Sequence, residues 1–120
     1  MRILSKCFVT TLIVNLLLLP GLAAERTVVG MLVEAGCGSH LGDTSPNNEH
    51  VACMIRCASN GDPVGILTEE GIFTINESWV TANLDRLSGL MAEQVVATGE
   101  TSDDGAGQLR IEVSTLELAK

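Results

Sequence analysis

The groups in this chain with chemistry to offer are thiols and imidazoles, and they gather between Cys37 and Cys57. The order is Cys37, two residues, His40, nine residues, then His50-x2-Cys53-x3-Cys57. On a helix, His50, Cys53, Met54 and Cys57 fall at i, i+3, i+4 and i+7, so one stripe carries four soft or borderline donors. Val51, Ile55 and Ala58 form an adjacent apolar stripe, while Glu49, Ala52, Arg56 and Ser59 occupy the opposite side, so the cysteine stripe borders the core. Three kinds of chemistry fit this set. In the first, Cys37 pairs with Cys53 or Cys57 in a disulfide; closing a loop of 16 to 20 residues stabilises a small domain by about 3 kcal/mol in the chain-entropy model. In the second, Cys37, His50, Cys53 and Cys57 form a tetrahedral Cys3His site suited to Zn²⁺ or Cu(I), although the spacing is not a common finger pattern. In the third, His50 lowers a cysteine pKa and leaves a reactive thiol or dithiol for exchange. His40 reads as a solvated loop histidine and Met54 as a core residue.

These residues must be held by a small fold. Val28, Val29, Met31, Leu32 and Val33 make a first strand interrupted by Gly30, and a glycine there marks a bulge or a tight bend at a barrel corner. Gly36 to Asn48 has loop composition, Glu49 to Ser59 reads as a short helix, and Asn60-Gly61-Asp62-Pro63 ends it. Val64 to Thr68 and Ile72 to Ile75 flank Glu69-Glu70-Gly71 as a hairpin. Val80, Leu84, Leu87 and Leu90 or Met91 recur at helical spacing after Asn76-Glu77-Ser78, which predicts a second helix of about three turns capped by that tripeptide rather than a glycosylation sequon. Gln94 to Thr101 and Gln108 to Leu118 are the last two strands, joined by a glycine-rich turn. This order predicts a mainly β fold: a small five-stranded OB-like barrel with a short helix after strand 1 and a helix between strands 3 and 4, the alternative being an open α+β sandwich. The acidic pairs Glu69-Glu70 and Asp103-Asp104 read as solvated, and no paired carboxylates, Ser-His-Asp set or phosphate-cradling loop can be assembled, so no catalytic residues are assigned and an enzyme is not expected.

The N-terminus has the grammar of a secretory signal peptide. Arg2 and Lys6 precede an apolar run from Cys7 to Leu19, Pro20-Gly21 breaks it, and small residues lead to cleavage after Ala23, or after Ala24. The run is too short to span a bilayer, so no stable membrane anchor is expected after cleavage. Residues 24–120 would then form a single periplasmic or secreted domain. Without Arg2 and Lys6 it keeps 5 basic residues against 15 acidic ones, and without Cys7 it keeps an odd three cysteines. Such acidity, with Phe73 and Trp79 the only aromatics left, excludes nucleic-acid binding.

The strand running into Cys37, the His50-x2-Cys53-x3-Cys57 spacing, the stretch Gly61-Asp62-Pro63-Val64-Gly65-Ile66-Leu67-Thr68, then Gly71-Ile72-Phe73 and Val95-Val96-Ala97-Thr98-Gly99 together resemble a group of small exported bacterial proteins of uncharacterised function. The resemblance covers about Thr27 to Val113. It implies an OB-like barrel and implies that Cys37, His50, Cys53 and Cys57 belong together. It carries no activity. The chain is therefore expected to be an exported acidic binding or accessory module with an unknown protein or metal as partner, its Cys/His cluster being a Zn or Cu site or, alternatively, a disulfide in an interaction domain without metal.

Overall fold

The computed structural model describes residues 25–41 and 46–120; the expected signal peptide and its cleavage point lie outside them. The chain runs β1 (Glu25–Glu34), α1 (Ala35–Leu41), α2 (Asn48–Ser59), β2 (Val64–Thr68), β3 (Gly71–Ile75), α3 (Glu77–Ala82), α4 (Leu84–Leu90), β4 (Gln94–Asp103) and β5 (Leu109–Leu118). The strands close into a barrel in the order β1-β2-β3-β5-β4, which replaces the alternative of an open sandwich. All pairs are antiparallel except β3 with β5. This is the five-stranded OB arrangement, with helices after strand 1 and between strands 3 and 4.

Closure depends on β1 serving two neighbours. Its first part, Glu25 to Met31, pairs with β4, and Met31 to Glu34 pairs with β2. Gly30 lies at this corner, where a Cβ would stand 2.2 Å from the Leu67 carbonyl oxygen. No register break occurs there; the shift is at Thr98/Gly99 in the β4–β5 pair. The interior is filled from every layer: Leu32, Val64, Ile66, Phe73, Val95, Ile111 and Leu116 from strands, Met54 from α2 and Leu87 from α4 are all essentially without solvent exposure. Alternating side chains along the strands thus meet two helices that cap the barrel.

Three expectations change. The stretch after β1 is not all loop, because Ala35–Leu41 is helical. The second helix is two: Asn83, at φ −124°, interrupts it, its side-chain amide donating to the Trp79 carbonyl at 2.8 Å. The Asn76 side chain makes no capping bond to α3; its Oδ1 accepts from the Val113 N–H at 3.0 Å and pins the helix entry to β5. The acidic pairs also do more than face solvent. Glu70 forms an ion pair with Arg26, and Asp103 and Asp104 accept backbone N–H groups of Gly105, Ala106 and Gln108 to shape the last turn.

Candidate cysteine cluster

The stretch between β1 and β2 carries the sulfur. The helix α2 forms where an Asn47 side chain accepts from the His50 N–H at 2.9 Å, with Glu49 in the first turn favouring the positive helix end. It ends at Asn60, and Gly61 at φ +96° turns the chain toward β2, a conformation that glycine adopts without strain. Met54 and Ala58 are buried, Val51 and Ile55 half-buried, and Glu49, Ala52, Arg56 and Ser59 exposed, as the three-sector wheel predicts. Cys53 and Cys57 are half-buried at the border, one turn apart.

Cys37 reaches them from α1. That short helix begins directly at the end of β1, and Glu34, only 4% exposed, is the one buried charged residue among those described. Its two carboxylate oxygens accept the N–H groups of Gly36 and Cys37, each at 2.8 Å, so a side chain of the strand satisfies the first turn of the helix. Gly38 allows α1 to lie close against the barrel: a Cβ there would come within 2.5 Å of Val33 Cγ2. Burial alone would raise the Glu34 carboxyl pKa, but the Cys37 and Gly36 amides and the Cys37 thiol outweigh it and hold it below the usual carboxylate range.

Cys53 acts on the thiols of both Cys37 and Cys57. Burial, the Glu34 carboxylate and Cys53 push the Cys37 thiol from an ordinary 9.0 up to about 12. Burial, Cys53 and the negative charges of Glu34 and Asp62 push Cys57 up as well. Both are therefore neutral thiols at pH 7, poor nucleophiles in that form. The three cysteines among the described residues are free thiols here.

The two histidines face solvent. His50 is exposed, as are Asn47, Asn48 and Glu49, because the first turn of α2 stands clear of the packed surface. The groups acting on the Cys37 and Cys57 thiols are Cys53, Glu34 and, for Cys57, Asp62, with His50 not among them. His40 is exposed and Met54 is core, as read. Among the described residues, no three His, Cys, Asp or Glu side chains are arranged to hold a metal ion. Two features escaped the sequence reading. Glu34 could have been suspected only as an acid ending an apolar strand just before a cysteine. A groove of about 770 Å³ between the end of α2, α3 and the start of β5 has no linear signature; Ala58, Asp62, Asn76, Val80, Arg110 and Glu112 line it.

No family model, curated protein or solved structure matches the chain. The OB-like barrel stands on the strand order alone. Among the described residues, no helix is long and apolar enough to cross a membrane.

Proposed function

We propose that this chain is an exported acidic binding or accessory module in which a disulfide from Cys37 fastens the helical insert, residues 35–63, to the barrel. The observation that carries this reading is the meeting of Cys37 on α1 with Cys53 on α2, two thiols from separate elements brought together at the edge of one core. A signal-peptide-like start and the resemblance to small exported bacterial proteins support an oxidising destination, where such thiols pair. The loop between Cys37 and Cys53 is 16 residues long, and closing it stabilises by about 3 kcal/mol. In this reading the barrel groove receives the ligand and no residue is assigned a catalytic role.

One observation favours a second reading: Cys53 acts on the thiols of both Cys37 and Cys57. Thiolates of Cys37, Cys53 and Cys57 would suit Zn²⁺ or Cu(I), which would have to displace the protons that burial and Glu34 hold on them. His50 would join as a fourth ligand only by turning inward from its exposed position. Thiol counting by intact mass, with elemental analysis of the same exported protein, separates the two. The disulfide reading expects one thiol and no metal, and the metal reading expects three thiols and a bound ion. Three thiols without metal contradict both. Recovery of an uncleaved chain from the cytoplasm contradicts export.

A further inference from the structure

We propose that the groove at the end of α2 receives a basic, extended peptide segment of a partner protein, with an apolar side chain seated on its floor and lysine or arginine heads set against its rim. The inference rests on the reading above in which this groove receives the ligand, and it names that ligand's chemistry.

The groove is amphipathic. Its floor is apolar, with Ile75 and Val80 buried and Leu84 half-buried. Its volume of about 770 Å³ lies within the range of about 300–1,000 Å³ that ligand sites occupy. The rim carries Asp62 from the turn after α2, Glu77 from α3 and Glu112 from β5, with Arg110 the one basic residue lining the groove. All three acids are exposed. Among the described residues the only ion pair joins Arg26 to Glu70, so the rim carboxylates are left to a cation from outside the chain.

Strand register carries this acidic rim beyond the groove. Glu112 stands opposite Glu100 on β4, and Glu100 stands opposite Glu25 on β1. Like charges directly opposed destabilise a sheet, and strands about 4.8 Å apart spread this row over about 10 Å. A compact cation meets one of these carboxylates and leaves the apolar floor unfilled. An extended peptide rises about 3.3 Å per residue, and residues two apart share a face. One apolar side chain can therefore enter the groove while basic side chains on either side of it meet the rim and the row. The mature chain's 15 acidic residues against 5 basic ones draw such a segment in.

The experiment follows the fluorescence anisotropy of fluorescein-labelled Lys-Lys-Leu-Lys-Lys with the mature chain at low ionic strength, where these contacts are least screened. Saturable binding is expected. Lys-Lys-Ser-Lys-Lys, which keeps the charge and loses the apolar anchor, is expected to bind about tenfold more weakly or worse, and Glu-Glu-Leu-Glu-Glu is expected not to bind. Glu77→Gln and Glu112→Gln should each weaken binding by up to about fivefold. Glu117→Gln, which removes the same charge from β5 outside the groove, should leave binding unchanged. All the substituted residues are exposed, so these variants are expected to fold. A preference for Glu-Glu-Leu-Glu-Glu that Arg110→Gln abolishes overturns the basic assignment and leaves the groove as the ligand site. Equal weakening by Glu117→Gln and Glu112→Gln places the peptide on the acidic surface at large and defeats the groove reading as well. If no peptide binds, the proposal fails: spermine, tested by calorimetry and weakened by Glu112→Gln, would then assign the groove to a small cation.

Discussion

The barrel and the insert between its first two strands are held by different means. Every strand of the barrel has two hydrogen-bonded neighbours, and its interior side chains are shared among all five. The described residues of the insert, 35–41 and 46–63, lie outside that ladder. They are attached through Met54, Ala58 and Leu41 in the core, through the Ala35 N–H bonded to the Pro63 carbonyl at 2.8 Å, and through the Glu34 carboxylate under α1. The barrel is over-determined by pairing and burial and offers little chemistry; the insert has few attachments and holds all the sulfur among the described residues except methionine. A redox-dependent bond matters most where other attachments are fewest, and the cysteines sit there.

The contrast can be broken or sharpened by mutation. The largest effect is expected in the barrel: Phe73, fully buried, should lose about 3–5 kcal/mol as Phe73→Ala, with the same loss in oxidised and reduced protein by denaturant unfolding. If the loss differs strongly between the redox states, barrel and insert are not separate. Met54→Ala, which withdraws the deepest anchor of α2, should cost about 2–5 kcal/mol and should cost less in the oxidised protein, where a bond to α1 still restrains the helix.

Glu34→Gln is expected to cost about 1–3 kcal/mol, since only one oxygen remains for two half-buried N–H···O bonds. Its signature is in pH dependence. The folded-state carboxyl is held low, so Glu34 contributes stability above the ordinary carboxylate range and loses it as pH falls through the lowered value. The Gln variant should lack that acid limb. The reduced Cys37 thiol is shifted the other way: its contribution is complete below 9.0 and disappears as pH rises toward about 12. Removing the Glu34 charge should bring the thiol down, and iodoacetamide should label Cys37 faster at any given pH between; unchanged labelling would mean that burial and Cys53 hold the proton without Glu34. The smallest change, Asn47→Ala, removes the cap on α2 and should cost about 1 kcal/mol.

The barrel was largely legible in the sequence because its cues are local. Val64 to Thr68 and Ile72 to Ile75 carry apolar strand composition around a Glu-Glu-Gly turn, and both form strands in the expected antiparallel hairpin. The parallel pairing of Phe73–Ile75 with Leu109–Ile111 has no local cue, since barrel closure alone brings these segments together. The helix α1 was hidden because Gly36 and Gly38 disfavour a helix in isolation; a buried carboxylate from the preceding strand and close packing on Val33 hold it. The cysteine stripe was visible at helical spacing, and its position at the core border was correct. His50 shares that spacing yet is exposed, because periodicity reports a direction around the helix axis and not how far along the axis the packed surface extends. Glu34 became a candidate only when its burial and both amide partners were visible.

The unfolding free energy of the mature chain with and without reductant, measured for the parent and Cys37→Ser, tests most directly whether a bond from Cys37 fastens the insert. Reduction should lower the stability of the parent by about 3 kcal/mol and leave Cys37→Ser unchanged. An equal response of both chains, or none in the parent, would contradict it.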